Sequence, residues 1–370
     1  MCGRRCELRG ALHALRPLAP KSRIEFEFQP GFEVCERVSA AVSLPRVSVS
    51  GLPVYRVCRR GGQGGSIIFS PRVPLALRSR MTRFEHEARV QATFDAVASG
   101  YDHPMLSSFD ATANVVARAS RLVDGEQALD LATGTGKVAL ALASQVPGAE
   151  VLGLDLSSGM LHEARAKAAA AGLSNARFVQ GSFDDMEFGP RFNVVTCSFG
   201  LFFVEDMVAA LTRFGRQAVA RGRLVLSTFR AGSFSPFSDA FLRLYAEFGF
   251  ESRPPGWLRL DCEQKLSDVF EQSGLPRPRC TSHDFGCALP SASAWWDIVH
   301  NGGYRGMLRA MTAEQESDFK RRHLQDVQAL LDAGTTRLDV SVLVATSEKQ
   351  AVEAPLNAES RRSPSGSGEP

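Results

Sequence analysis

Asp130, Gly134, Gly136 and Asp155 are the residues whose types and spacing point to chemistry. Three of them lie in Ala128–Val138, which reads ALDLATGTGKV. Ala128, Leu129 and Leu131 suit a buried strand, the glycines break it, and an Ala- and Leu-rich helix follows. Such a turn lets backbone approach a ligand closely and aims the unpaired amides of a helix N-terminus at it. A cofactor site is therefore expected between this strand and this helix.

The glycines alone leave two cofactor classes open. Gly134, Gly136 and Ala139 also satisfy the G-x-G-x-x-G/A pattern of dinucleotide-binding folds. The next strand, Glu150–Leu154, is followed by Asp155, nineteen residues past Gly136, where either class places a carboxylate to accept both ribose hydroxyls. Asp130 separates the two. A carboxylate inside the first strand, four residues before Gly134, suits a cationic ligand end and repels a pyrophosphate. S-adenosylmethionine carries an ammonium and a sulfonium and no phosphate.

On these residues the stretch resembles the class I S-adenosylmethionine-dependent methyltransferases, whose first motif has an acid, then G-x-G, then an acid ending the second strand. Phe192–Phe203, FNVVTCSFGLFF, looks like the fourth-strand segment of the branch that includes the ubiquinone and menaquinone C-methyltransferases. Arg221–Phe229, RGRLVLSTF, resembles its G-G-R-L fifth strand, and the likeness covers roughly residues 84 to 347. It implies an α/β fold, a doubly wound Rossmann-like seven-stranded sheet with a helical insert before the last strand. It further implies S-adenosylmethionine as cofactor and in-line methyl transfer to a C, O or N atom of a small organic acceptor.

Carried onto this sequence, the resemblance gives each residue a role. Asp130 orients the turn and receives the ammonium through amides or water, while Ala132, Gly134, Thr135 and Gly136 support the methionine portion. Asp155 takes the ribose diol, with Leu156 beside the adenine. Ser182 and Phe183 stand where family members often have an acid near the adenine, so the amino contact passes to Asp184, Asp185 or a backbone carbonyl. Ser198 occupies the place of a cofactor-contacting serine. Tyr101, in the Tyr-Asp pair closing an N-terminal helix with Val90, Phe94 and Val97, folds over the methionine end.

Two alternatives stay in view. A nicotinamide oxidoreductase explains the glycine turn and Asp155 but leaves Asp130, the CSFGL stretch and the last strand unexplained. A non-catalytic S-adenosylmethionine-binding protein keeps the first motif with a blocked acceptor pocket. The fourth strand also lacks the [DN]-P-P-[YF] motif with which DNA adenine methyltransferases grip a flipped base.

On the acceptor side, Phe199, Phe202 and Phe203 follow a buried strand and line either a pocket or the core. Trp296, His300 and Tyr304 fall at i, i+4 and i+8, so one helix face forms a substrate lid or a packing stripe. In-line displacement at a sulfonium needs positioning more than a catalytic group, and positioning alone is worth effective molarities of about 10⁵ to 10⁸ M. No nucleophile elbow, H-E-x-x-H or Walker loop is present. Were a proton to be removed, His300, His103 or Tyr101 are the candidates.

The elements that position these residues alternate. After helices from Phe84 and over Thr112–Arg121 come a strand into Asp130, a helix Lys137–Gln145, a strand Glu150–Leu154, a helix Ser158–Ala171 and a strand Ala176–Gln180. Strand Phe192–Cys197, helix Met207–Ala220 and strand Gly222–Thr228 follow. Beyond Phe229 the pattern predicts helices at Phe237–Phe248 and Glu263–Ser273, a strand Arg279–Leu289, a largely helical and polar Trp295–Leu331, and a last alternating strand Arg337–Thr346.

With 370 residues, 44% of them hydrophobic, the chain supports one domain of about 250 residues plus extensions. The net charge of +3 divides unevenly. Residues 1–80 hold fourteen Lys+Arg against five Asp+Glu, and the remainder twenty-nine against thirty-five. An acidic body argues against a nucleic-acid groove and for a small-molecule partner. No apolar run long enough for a membrane span appears. The eight cysteines have spacings unsuited to zinc, so no metal is expected, and they read as reduced thiols of an intracellular, soluble protein. The expected organisation is a basic low-order leader over 1–80, a methyltransferase domain over 81–347 and a disordered tail over 348–370. The Arg-rich start reads as a mitochondrial or plastid targeting segment, or as an extension upstream of a functional start at Met81 in a cytoplasmic protein.

Overall fold

The computed structural model describes residues 58–59, 67–68, 75–251 and 255–350. The chain divides into two units, Met1–Glu85 and His86–Pro370. Most of the expected leader and the tail beyond residue 350 lie outside the described residues. Within the first unit β1 (Cys58–Arg59) pairs antiparallel with β2 (Ile67–Ile68). Helix α1 (Leu75–Val97) begins nine residues before the expected Phe84.

The core of the second unit is one seven-stranded sheet. Its strands are β3 (Gln127–Leu131), β4 (Glu150–Asp155), β5 (Ala176–Gln180), β6 (Phe192–Ser198), β7 (Ala218–Phe229), β8 (Arg279–Asp284) and β11 (Ser341–Glu348), in the order β5-β4-β3-β6-β7-β11-β8. The first five are parallel, and β11 runs antiparallel to both β7 and β8. The doubly wound seven-stranded sheet is the one that the resemblance implies, with one strand reversed. Helices α2 (Ser108–Ser120), α3 (Lys137–Gln145), α4 (Ser158–Ala170) and α5 (Met207–Gln217) supply the crossovers and the N-terminal cover. Because right-handed crossovers run outward from β3 in both directions, they coat opposite faces and leave the strand C-termini on one edge.

The region between β7 and β11 is helical: α6 (Phe237–Glu247), α7 (Glu263–Gln272), α8 (Ala292–Asn301), α9 (Arg305–Leu308) and α10 (Ala313–Asp332). Its exterior is polar as expected, but its interior is a packed aromatic core of Phe237, Phe241, Trp295 and Phe319, all fully buried. His323 is buried among them, its Nε2 accepting from Trp295 Nε1 at 2.7 Å, and burial pushes its pKa down to about 4.

Three expectations need correction. The strand expected over Arg279–Leu289 is two, β8 and the short β9 (Cys287–Ala288), which pairs with β10 (Arg337–Leu338). Gly286 donates its N–H to Asp284 Oδ1 at 2.8 Å and turns the chain between them. The last strand expected over Arg337–Thr346 is likewise two, because β10 pairs outside the main sheet and β11 begins only at Ser341. The helix expected to reach Ala220 stops at Gln217 because Ala218 already pairs with Phe192. Tertiary pairing overrides helix propensity there.

The turn after β3 is held against the loop after β6. A Cβ on Gly200 would stand 2.5 Å from the half-buried Ala132 Cβ and 2.8 Å from the buried Cys197 Sγ. Gly200→Ala is therefore expected to destabilise the protein by about 1–3 kcal/mol through overpacking. Urea unfolding of wild type and variant checks this, and a variant of unchanged stability would contradict the close approach.

Candidate functional site

Asp130 is the fourth residue of β3, flanked by β4 and β6, and 1% exposed. Its Oδ2 accepts from Thr133 Oγ1 at 2.6 Å and its Oδ1 from Thr196 Oγ1 at 2.7 Å, while the backbone amide of Ala139 in α3 also donates to it. Burial pushes its pKa up to about 6, outweighing the hydrogen bonds that favour the charged form. The carboxylate thus ties the glycine turn to β6 and to α3. Being enclosed, it acts on a ligand through its field and through the turn it shapes.

Asp155, half-buried at the end of β4, reaches the same turn from the other side. Its Oδ2 accepts the Gly134 N–H at 2.8 Å and its Oδ1 the Ser157 N–H at 2.9 Å. Burial raises its pKa as well, against the pull of these amides. The two glycines divide the work. A Cβ on Gly134, at φ +56°, would meet open space, whereas one on Gly136, at φ +82°, would lie 3.0 Å from the Ala164 Cβ and 3.3 Å from the Phe178 ring. Gly136 lets α3 pack closely on its neighbours, and Gly134 leaves the turn bare. Thr135 is buried, and Ala132 takes a left-handed φ of +52°.

The chain around the end of α1 lies on this turn. Asp102 accepts from Thr135 Oγ1 at 2.9 Å, Lys137 Nζ at 2.7 Å and Lys167 Nζ at 2.6 Å. Burial works against its charge, but the two lysines prevail and hold its pKa below the usual range. Asp95 accepts from Ser157 Oγ at 2.6 Å and from the Gly159 N–H at 2.9 Å, closing the N-terminus of α4. Tyr101 stacks on Phe109 at 5.2 Å, and burial, then Asp155 and Asp102, raise its pKa, so its hydroxyl stays neutral. Asp95 and Asp102 were not singled out by sequence reasoning. The only signal was adjacency to Tyr101 for Asp102, and a carboxylate one residue after Phe94 for Asp95.

On the adenine side expected from sequence, Ser182 Oγ donates to Glu87 at 2.9 Å and accepts the Asp184 N–H at 3.0 Å. Asp184 is itself paired with Arg213 at 2.6 Å. Phe183 is buried edge-on to Phe214 at 5.5 Å, and Leu156 offers its carbonyl to Gln180 Nε2 at 2.9 Å.

At the ends of β6 and β7 an aromatic run begins. Phe199, at φ +53°, donates its N–H to Ser227 O at 3.0 Å, and its ring stacks on Phe229 at 4.4 Å and meets Phe109 at 5.1 Å. Phe229 continues to Phe234 at 4.8 Å and to Trp257 at 5.8 Å, and Trp257 to Tyr304 at 6.3 Å. Phe202 lies beside Phe203 at 4.9 Å. Ser198 Oγ is buried next to Phe199 without a hydrogen-bond partner.

The shared helix face expected of Trp296, His300 and Tyr304 is not formed. Helix α8 ends at Asn301, and the Gly302-Gly303 pair, poor in helix propensity, separates Tyr304 from it. Tyr304 joins the aromatic run, whereas Trp296 packs inside the insert on Phe319 and His323, both at 6.4 Å. His300 is exposed, its pKa lowered by partial burial and Arg305. His103 is spent as a cap, its Nδ1 accepting the Met105 N–H at 3.3 Å.

The family described as methyltransferase domain matches residues 128–222, from Ala128 ahead of the glycine turn into β7. Aklanonic acid methyltransferase DauC of Streptomyces sp. (strain C5) is 30% identical over 46% of this chain and 80% of its own length. The demethylmenaquinone methyltransferase of Geobacillus kaustophilus is 34% identical over 55% of this chain and 94% of its own. That of Chlorobaculum tepidum is 38% identical over 34% of this chain and about half its own length, 54%. The chain belongs to the class I S-adenosylmethionine-dependent methyltransferases.

Within this methyltransferase no group of three or more His, Cys, Asp or Glu among the described residues is placed to hold a metal ion. No described helix is long and apolar enough to cross a membrane. Cys197, Cys262, Cys280 and Cys287 are free thiols.

The raised Asp130 pKa predicts a pH signature. The unfolded chain releases this proton near 3.8 and the folded one near 6, so folding binds protons between these values. Stability from this group is full below about pH 4 and is lost as pH rises through about 6, a fall of up to ~3 kcal/mol. Asp130→Asn removes this titration, so its stability between pH 4 and 6.5 should fall less than that of wild type. Parallel pH profiles in guanidinium unfolding would contradict the assignment.

Proposed function

We propose that this methyltransferase binds S-adenosylmethionine over the glycine turn and passes its methyl group to a small organic acceptor held against Phe199 and Phe229. The observation that carries the reading is the pair of half- to fully buried carboxylates, Asp130 and Asp155, braced against a turn whose Gly134 faces open space. Two partly desolvated negative charges beside one turn favour a cationic ligand and oppose a pyrophosphate. Ser198 Oγ, an unpartnered buried hydroxyl at the same edge, fits a bound group that completes its hydrogen bonding.

The bound cofactor supplies a methyl group on a cationic sulfur, a leaving group that needs no activation. The chain supplies position. Asp155 orients the ribose side while its second oxygen fixes the loop after β4, Tyr101 and the Asp102 clamp cover the turn, and the aromatic run beyond Phe199 excludes water from the acceptor. Methyl transfer then rests on alignment rather than on a base, in keeping with the capping role of His103 and the exposed position of His300. In this reading residues 81–347 form the methyltransferase domain, 1–80 a basic leader and 348–370 a tail. The acceptor class is that of small molecules, as the names of the Streptomyces and Geobacillus relatives state for those proteins.

Calorimetry on the full chain tests the reading. S-adenosylmethionine should bind with micromolar affinity, and Asp155→Asn, which weakens acceptance from both the ribose and the Gly134 amide, should cost roughly 10-fold or more. NADH should not bind. NADH binding without S-adenosylmethionine binding would overturn the proposal in favour of an oxidoreductase.

A further inference from the structure

In S-adenosylmethionine the methionine arm and the adenine leave opposite sides of the ribose. With the arm on the turn after β3 and the ribose on Asp155 at the end of β4, the base falls to the next strand, β5, at the edge of the sheet. Gln180 of β5 is the register partner of Asp155, and Gly181 donates its N–H to the Asp155 carbonyl at 2.9 Å. The residue after Gly181 is Ser182, a neutral side chain. A Cβ on Gly181 would meet only Leu154 Cδ1, at 3.5 Å, so there is room for further atoms beside Ser182 as there is beside Gly134.

Adenine presents amino N–H donors, which an acceptor-only carboxylate fits best. Of the two acids that follow Phe183, Asp184 pairs with Arg213 at 2.6 Å and Asp185 is exposed. A carboxylate does reach this place, but from a distant part of the chain. Glu87 of α1, half-buried, accepts from Ser182 Oγ at 2.9 Å, and Ser182 Oγ in turn accepts the Asp184 N–H at 3.0 Å. The amide fixes the hydroxyl and the hydroxyl fixes the carboxylate, whose two oxygens can accept several hydrogen bonds.

The same helix serves the rest of the seat. Asp95 caps α4, beyond the end of β4, through Ser157 and Gly159, and Asp102, just past the helix, accepts from Thr135 in the turn after β3. From Glu87 to Asp102 these contacts run along β5, β4 and β3, the order in which base, ribose and methionine arm would lie.

We propose that Glu87 is the adenine-recognition residue of this chain, a carboxylate carried in by α1 to accept from the 6-amino group, with Ser182 as its positioning residue. The assignment deepens the cofactor reading above and rests on it. Discrimination follows from the pairing: a purine without the amino group desolvates the carboxylate and returns no hydrogen bond, whereas adenine returns one.

Calorimetry on the full chain tests this with S-adenosylhomocysteine and its 6-deamino analogue, which carries hydrogen in place of the amino group. Wild type should favour S-adenosylhomocysteine roughly 10-fold or more. Glu87→Ala should bring that preference to within about twofold, by weakening S-adenosylhomocysteine the more. Glu87→Gln keeps the size of the side chain and one accepting oxygen, so it should retain an intermediate preference of about 3-fold, and it carries the test if the alanine variant is unstable. Ser182→Ala should lower the preference in the same direction. Asp95→Asn, on the same helix, should instead weaken both ligands alike and leave their ratio within about twofold of wild type, which separates reading the base from seating the helix. A ratio unchanged from wild type in either Glu87 variant, or no preference in wild type, overturns the assignment and leaves the S-adenosylmethionine reading standing. If neither S-adenosylhomocysteine nor S-adenosylmethionine binds wild type, both fail.

Discussion

A buried carboxylate on the central strand governs the geometry of the site edge. Asp130 is enclosed between β4 and β6, and it is kept there by two threonine hydroxyls and an amide of α3. A buried acceptor deprived of such donors would cost about 1–3 kcal/mol, and more if charged. The donors must therefore come to it, which fixes the turn containing Thr133, the register of β6 through Thr196, and the start of α3. From those three fixed points Gly134 is left facing open space and Gly200 is pressed on Ala132.

The other carboxylates extend the same logic outward. Asp155 draws the Gly134 and Ser157 amides together, Asp95 draws α1 onto the start of α4, and Asp102 gathers Thr135, Lys137 and Lys167. Each ties a loop at the strand C-termini to the chain beside it. Left-handed φ at Ala132, Phe199 and Phe234 falls after β3, β6 and β7, at the same edge. Such residues cost on the order of 1–3 kcal/mol each and persist only where packing over-determines them. The aromatic contacts of Phe199 and Phe234 provide that packing.

Much of this was legible in the sequence because it is local. The acid, the glycines and the next acid lie within one strand-turn-helix-strand unit, and the parallel strands announced themselves as apolar runs at regular intervals. Contacts that close the site are not local. Asp95 and Ser157 are 62 residues apart, Asp102 and Thr135 are 33, and Glu87 and Ser182 are 95. No spacing rule reaches across such separations. The insert was misjudged for a different reason. Its surface residues make α10 read as polar, while Phe319 and His323, four apart, carry its buried face, and Gly302-Gly303 breaks a stripe that the i, i+4, i+8 pattern had joined.

If the carboxylate-braced turn is a cofactor seat, ligand binding must register there before anywhere else. Amide hydrogen exchange of the full chain, with and without saturating S-adenosylmethionine, measures this directly. Slowed exchange is expected over residues 132–140, at 155–159 and along 95–103, with β8 and α10 unchanged. Slowed exchange confined to other segments, or none at the turn despite measured binding, would contradict it.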